Sequence, residues 1–387
     1  MRTRVRGIGL GIEVRRVEGP RDLALFVELA YRLNRAEPNW IAPLRSEVRE
    51  LLNPRRNPWF GHARLALFLA FEDGVPAGRI SAQVESLPMQ GVAAGTGHWG
   101  MFEASGPAVA AALLAAAEGW LAEQGMRASL GPLSLSIWDE PGLLVEGHAR
   151  PPSIMMGHHR AVYAGWIEAA GHKPVKDLHT YDLPAGRALP PLVQRILAAG
   201  RANPRIRVRQ LDAARYGEEA EAILALLNDA WSGNWGFVPF TEAEKAYAAK
   251  KLKPLIFADL VRIADYDGEP AAFMIAIPDV NGLLRDLDGR LFPFGWAKLL
   301  WRMRRRRFPR MRVPLMGVAL RHQASRLAVE MAFMMIEEIR CDAIARYGAE
   351  EAEIGWILED NKGMLSIARI SESDLGRVYR IYGKAIG

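Results

Sequence analysis

The phrase Asp73-Gly74-Val75-Pro76-Ala77 returns as Asp267-Gly268-Glu269-Pro270-Ala271, half the chain length further on in a chain of 387 residues. Each copy lies between apolar runs, 65–71 and 78–84 around the first, 260–266 and 272–277 around the second. Asp-Gly between strand-like runs is a strong hairpin signal, because both turn residues must tolerate positive φ. One copy specifies a hairpin. Two copies at this spacing specify one α/β unit used twice.

The flanking elements obey one template. In the first half, 12–17 reads as a strand, 22–33 and 43–52 as helices, then come the hairpin, a strand over 98–103 and an Ala-rich helix over 107–124 that Gly125 terminates. A strand-like run, 128–137, a Gly- and Pro-rich loop, a short helix over 163–170 and a closing strand over 174–183 complete it. The second half repeats this order: strand 206–211, helices 218–231 and 242–252, the hairpin, strand 312–320, a long helix 326–347, strand 352–358, helix 362–370 and closing strand 377–382. The expected organisation is therefore a first domain over 1–186, a helical linker over 187–204 ended by Asn203-Pro204, and a second domain over 205–387 with an insertion at 282–311.

Composition bounds the class. Half the residues are hydrophobic and 24% are charged, ordinary for a globular chain of two or three domains. The single cysteine, Cys341, falls in a helical stretch and is expected as a small core residue, which suits a reducing cytoplasm. The basic start, Met1 to Arg6, leads to an apolar stretch that reaches Glu13 before any cleavage signal, so no signal peptide is expected. The Ala-rich run 104–117 is too short to span a bilayer.

The net charge of +6 is unevenly placed. From Trp296 to Arg312 there are eight Lys or Arg residues and no acid, a run that favours an anionic partner. On a helix, Phe292, Trp296, Leu299, Leu300 and Met303 form an apolar stripe, and Lys298, Arg302, Arg305 and Arg306 a cationic one. This is the pattern of a helix lying on an anionic membrane, and equally of a surface helix with its apolar side packed inward. The regular interleaving of aromatics expected of a single-strand nucleic-acid platform is lacking.

This order of elements, with Glu359-Asp360-Asn361 after a strand and Arg377-Val-Tyr-Arg-Ile-Tyr382 at the end, resembles the GCN5-related N-acetyltransferase (GNAT) superfamily in tandem. The phrases Pro38-Asn-Trp-Ile-Ala-Pro43, Asn234-Trp-Gly-Phe-Val-Pro239 and the run from Ser134 to Gly147 narrow the resemblance to a proteobacterial branch that includes bacterial ceramide synthase. The resemblance implies an α/β (α+β) fold of two tandem GNAT-like domains, each a mixed central sheet flanked by helices. It also implies an N-acyltransferase using acyl-CoA, with a long-chain amine such as sphinganine or 3-ketosphinganine as acceptor. A cytoplasmic protein, peripheral on the inner face of the membrane, is expected. The alternatives are transfer to a small soluble amine, or a non-catalytic membrane- or RNA-binding protein.

In that superfamily the acyl-CoA pyrophosphate rests on main-chain N–H groups at the start of the helix after strand four, where unpaired donors and the helix dipole favour phosphate. The matching stretch is Arg321-His322-Gln323-Ala324-Ser325-Arg326, with Ala324 and Arg326 replacing the family's small residues. The first half offers Glu103-Ala-Ser-Gly-Pro107, which puts an acid where phosphate would approach. The donor is therefore expected in the second domain, with the first as a degenerate copy that contributes to the acceptor pocket.

Transfer to an amine needs a proton acceptor, oxyanion donors and an acid for the thiolate. Oxyanion donors are expected at the N–H groups of Val318 or Leu320, and Asn361 at its family position. The family's tyrosine position holds Ala368, so Tyr379 or Tyr382 stands as a substitute acid. Asp279, which ends the strand after the second hairpin, and Glu140, clustered with Asp139 and Glu146, are candidate bases. Trp235 is a candidate substrate contact. Adjacent His158 and His159 cannot easily share one metal, and no His-Glu-x-x-His or Cys pair exists, so no metal is expected.

Overall fold

A computed structural model describes residues 11–387. The basic segment at the start lies outside the described residues. The elements in chain order are β1 (Ile12–Arg16), α1 (Pro20–Leu33), α2 (Arg45–Leu51), β2 (Ala63–Glu72), β3 (Val75–Glu85), β4 (Thr96–Ala104), α3 (Pro107–Glu123), β5 (Ala128–Gly131), β6 (Leu143–Glu146), α4 (Val162–Ala169), β7 (Lys173–Pro184) and α5 (Pro191–Ala202). They continue with β8 (Ile206–Gln210), α6 (Tyr216–Trp231), α7 (Glu242–Leu252), β9 (Val261–Tyr266), β10 (Glu269–Pro278), α8 (Asn281–Leu284), α9 (Gly295–Arg304), β11 (Arg310–Val318), α10 (Arg326–Tyr347), β12 (Glu351–Leu358), α11 (Lys362–Ile370) and β13 (Asp374–Ala385).

Packing divides the chain into two units. The first holds residues 11–177, Leu284–Pro293 and Arg377–Gly387, and the second holds Leu178–Leu283 and Phe294–Gly376. In the first unit the strand order is β1-β2-β3-β4-β5-β13, with β6 also on β13. In the second it is β7-β12-β11-β10-β9-β8. Each is a mixed sheet whose one parallel pairing joins the strand before the long helix to the strand after it, β4 to β5 and β11 to β12.

The closing strands differ from expectation. Residues 178–184, expected to finish the first half, pair antiparallel with β12 from Leu178↔Leu358 to Pro184↔Glu351. Residues 377–385, expected to close the second half, pair with β6 and β5, from Val378↔Glu146 to Ala385↔Ala128. Part of the expected insertion also belongs to the first unit: the Arg45 N–H donates to Gly289 C=O, and the Arg45 guanidinium lies 3.6 Å over the Tyr31 ring. The reason is that strand propensity and alternation specify a face, and leave the partner to tertiary packing.

Both repeats fold as the sequence requires. Asp73 and Gly74 have φ of 50° and 81°, Asp267 and Gly268 of 53° and 86°, the two positive values of a type I′ turn. The rest of the phrase makes a bulge. Register passes from Phe71↔Pro76 to Ala70↔Gly78, and from Asp265↔Pro270 to Ala264↔Ala272, leaving Ala77 and Ala271 as the extra residues. Each bulge carbonyl then accepts an N–H from the residue just after the fourth strand of its unit, Ser105 to Ala77 at 2.9 Å and Ala319 to Ala271 at 2.8 Å.

Helices cover both faces of the first sheet. Ala-rich α3 approaches closely, its Val109 and Leu113 filling the space above Gly78, and Ile80, Trp99, Leu113 and Tyr163 build that core. On the other face α1 contributes Phe26, Val27 and Leu29. In the second unit α10 spans the residues the sequence predicts, beginning at an N-cap, Ser325, and ending at Gly348 in the left-handed conformation. Cys341, expected in the core, is exposed on α10 with Sγ 3.4 Å from Glu337 Oε1.

Two glycines separate backbone strain from steric fit. A Cβ on Gly268 meets nothing within 4 Å, so Gly268→Ala is expected to cost only the positive-φ penalty, about 1 kcal/mol. A Cβ on Gly100 would lie 1.9 Å from Leu133 O, and Gly100→Ala is expected to cost about 2 kcal/mol or more. Urea unfolding of each variant, followed by limited proteolysis of the unit that carries it, checks the order; equal costs would contradict it.

Candidate active site

In the second unit β11 and β12 run parallel only from Arg310↔Glu351 to Val313↔Ile354. Pro314 comes next, without an N–H to continue the ladder. Beyond it β11 stays on β10 and β12 stays on β7, so the strands part. Antiparallel pairing alternates the direction of N–H groups. Ala319 bonds toward β10, so the Val318 N–H points the other way, to the side β12 has left. Trp231 donates its indole N–H to Met316 C=O at 3.0 Å and lies 6.1 Å from Trp356.

The loop between β11 and α10 is fixed from below. The Gln323 amide donates to Ala230 C=O at 2.6 Å and to Val318 C=O at 3.0 Å. Ser325 Oγ accepts the Ala328 N–H at 3.3 Å, capping α10 and leaving the first N–H groups of the helix for a ligand. Arg326 folds back along the helix onto Glu330 at 2.9 Å, so its side chain does not fill the helix mouth. Arg321 is exposed, with Nε 3.0 Å from His322 Nε2. Open main-chain donors with Arg321 and His322 beside them suit a pyrophosphate.

The remaining expected residues of this unit have local roles. The Leu320 N–H donates to Asp229 Oδ2 at 2.8 Å and is not available to an oxyanion, which leaves Val318. Asn361 Oδ1 accepts the Met364 N–H and caps α11, while Ala368 is buried. Asp279 Oδ1 accepts the Asn281 N–H at 3.1 Å, opening α8. Trp235 is half-buried in the loop after α6, beside buried Phe237 and Val238.

The first unit differs at each corresponding point. α3 starts two residues after Ser105, and Pro107 at its first position has no N–H to offer. The side of β4 beyond its pairing with β5 is occupied by the chain itself: Leu133 N–H donates to Trp99 C=O, Met101 N–H to Ser134 Oγ, and the Gln83 amide to the carbonyls of Leu133 and Leu135. Glu103 is buried between the Tyr163 hydroxyl and the Asn34 amide, both donating at 2.8 Å; burial pushes its pKa up.

The loop over 132–160 carries an acid and a histidine in contact. Glu140 Oε1 lies 3.5 Å from His159 Nε2, and His159 Nδ1 accepts the Leu144 N–H at 3.0 Å. The approach requires Gly157, because a Cβ there would sit 2.0 Å from Glu140 Oε1. Tyr379 donates its hydroxyl to Gly157 C=O at 2.9 Å, and Arg377 donates to Pro151 C=O. Burial, reinforced by Glu103 and Asp139 against the opposing Arg79, pushes Glu140 up to about 7. Burial, then His158 and His148, pulls His159 down to about 3. Tyr382, expected as an acid, is buried in the core of this unit with its hydroxyl on Glu168 at 3.3 Å and its pKa pushed up to about 12.

Sequence reasoning does not connect Glu140 with His159. The adjacent histidines are visible in the chain, but only folding brings position 159 back to 140. The α1 side of this sheet is also polar. Arg79 Nε, Ser81 Oγ, Gln83 Oε1, Glu85 Oε1 and both ring nitrogens of His98 are buried without a protein hydrogen-bond partner, atoms that ordered water or a polar ligand would complete.

The basic segment forms α9 with an exposed apolar face. Phe294, Trp296, Leu300 and Trp301 are all more than 45% exposed, and Phe292, which precedes the helix, is 83% exposed. Trp301 lies outside the expected stripe, while Leu299 and Met303 are half-buried. Arg302, expected to face solvent, donates to Leu283 C=O at 2.6 Å and ties α9 to α8. Arg305 stacks 3.7 Å over Trp301, and Arg304, Arg305 and Arg306 are exposed. Among the described residues no helix is long and apolar enough to cross a membrane.

The raised pKa of Glu140 gives a sign for stability. A carboxyl that binds its proton more tightly when folded stabilises the native state below its ordinary value of 4.5, and loses that contribution as pH rises to about 7. Glu140→Gln is neutral throughout. It is expected to melt with the wild type near pH 4.5 and above it at pH values beyond 7. A melting difference that does not change with pH would refute this.

No family model matches the chain. It is 42% identical over 373 residues to bacterial ceramide synthase of Caulobacter vibrioides, covering 96% of each chain. It is 38% identical over 379 residues to Protein YghO of Escherichia coli, covering 96% of this chain and 95% of that one. In structure it is similar to a tandem GNAT protein from the clavulanic acid biosynthesis pathway, with a TM-score of 0.55 and 12% identity over 97% of this chain and 99% of that one. A GCN5-related N-acetyltransferase from Sphaerobacter thermophilus gives a TM-score of 0.53 at 12% identity, covering 97% and 96%. The chain has the tandem GNAT fold, and with this identity over nearly its whole length it belongs to the bacterial ceramide synthase family of N-acyltransferases.

Proposed function

We propose that the protein transfers a long-chain acyl group from acyl-CoA to the amine of a sphingoid base, sphinganine or its 3-keto form, giving a ceramide-type amide at an anionic membrane surface. The observation that carries this reading is the second unit's parted strands leading into an open, capped helix start. The first unit lacks that arrangement, since Pro107 removes a donor and residues 133–135 occupy the β4 side.

Bound acyl-CoA supplies the acyl carbon as an activated thioester. The N–H groups opening α10, with Arg321 and His322, hold the pyrophosphate. Val318 N–H receives the charge that develops on the carbonyl oxygen. The amine forms the C–N bond as the C–S bond breaks, and the thiolate leaves. Asp279, which follows β10 in the same unit, is the candidate acceptor of the amine proton.

The acceptor class rests on the similarity to bacterial ceramide synthase and on α9, whose exposed tryptophans and arginines suit a lipid boundary with anionic headgroups. Incubation of purified protein with a long-chain acyl-CoA and sphinganine is expected to give the amide mass in proportion to protein. Product with small soluble amines but with no long-chain base would overturn the lipid substrate. Binding to phosphatidylglycerol vesicles is expected to fall about 30-fold in the Arg305→Ala, Arg306→Ala double variant, at about 1 kcal/mol per surface cation. Unchanged vesicle binding would refute the membrane role of α9.

A further inference from the structure

Two tryptophans of the second unit meet where its strands part. Trp231 ends α6 and Trp356 lies in β12, with ring centroids 6.1 Å apart and planes tilted by 58°. Gly355 pairs with Thr180 and Ile357 with His179, so Trp356 is an extra residue in β12, a bulge whose side chain leaves the alternation of the ladder. That bulge brings its indole to Trp231. Trp231 is in turn held on β11. Its N–H donates to the C=O of Met316, which lies two residues before Val318 and so turns its main-chain groups to the same side, into the gap that β12 has left. The indole thus satisfies a carbonyl that would otherwise face a chain in the gap, and both rings are only half-buried, with apolar surface still uncovered.

Position along β11 decides what that surface meets. The order along this edge is the capped start of α10, then Val318, then Met316 with Trp231 bonded to it, and then Leu315 and Pro314, both half-buried. A donor with its pyrophosphate at α10 and its thioester carbonyl at Val318 therefore points its acyl carbons on toward Met316, about 7 Å along the strand. We infer that Trp231 and Trp356 select a long acyl chain, their rings forming the apolar wall that buries its first methylenes, an assignment that rests on the acyl-CoA reading of this unit. An acetyl group ends short of the wall. A longer chain gains about 4-fold in binding for each methylene it buries there.

The test is calorimetric binding of CoA, acetyl-CoA and dodecanoyl-CoA to the full chain, with no acceptor present. In the wild type dodecanoyl-CoA is expected to bind more tightly than acetyl-CoA by about 100-fold or more. Trp356→Ala and Trp231→Ala are each expected to cut that preference about 10-fold and to leave the Kd of CoA within about 2-fold, which also reports that the unit is folded. Trp356→Phe keeps a ring beside Trp231 and is expected to cut it about 3-fold, so the wall stays testable where a truncation costs the fold. A wild type that binds none of the three overturns the donor reading and the wall with it. CoA binding without a preference for dodecanoyl-CoA in the wild type, or with the full preference kept in Trp356→Ala and Trp356→Phe, overturns the wall alone.

Discussion

One main-chain hydrogen bond sets the geometry on which the donor site depends. Ala271, the bulge residue of the second Asp-Gly-x-Pro-Ala phrase, accepts the N–H of Ala319 where β11 ends. The proline of the phrase has no N–H, so the ladder must adjust beside it, and the bulge aims one carbonyl at the end of the neighbouring strand. That bond ends β11 with the Val318 N–H facing outward and starts the loop into α10. Its counterpart, Ser105 to Ala77, holds in the first unit. The repeated phrase thus encodes a turn, a bulge and the anchor of the loop after strand four.

The two units diverge immediately beyond this anchor. Six residues, Leu320 to Ser325, precede α10, whereas Gly106 alone separates Ser105 from α3. The longer loop has room for Gln323 to pin it and Ser325 to cap the helix, so its outer N–H groups stay open. In the first unit the same side of the fourth strand is filled by main chain, with Gly100 admitting Leu133 O to a distance that no Cβ permits. The first unit instead concentrates buried polar atoms on its α1 side and presses Glu140 against Gly157 and His159. Polar atoms buried without partners are costly, and the surroundings of Glu140 raise its pKa.

Much of this was legible from residues alone. Asp-Gly at both turns and the bounds of the long helix are set by local rules, and the type I′ hairpins and α10 obey them. The strand ending near Val318 and the loop from Arg321 to Arg326 were equally local. Arg302 and Trp301 were misplaced because a helical pattern gives angular position without saying which side meets the body of its own unit. Tyr382 stands in the sequence as a substitute acid for the missing tyrosine, yet the core of the first unit covers it.

The sequence by itself determined the duplicated unit, its turns, its helix ends and the unequal loops after strand four, since each depends on φ preference, a missing N–H or a capping hydroxyl within a few residues. Only the tertiary structure decided that 377–385 pairs with β5 and β6 and that 178–184 pairs with β12. It alone brought Tyr379 to Gly157 and His159 to Glu140. The physical reason is that a strand's alternation fixes which side chains face the core, while its main-chain groups are chemically alike and accept whichever edge the packing presents.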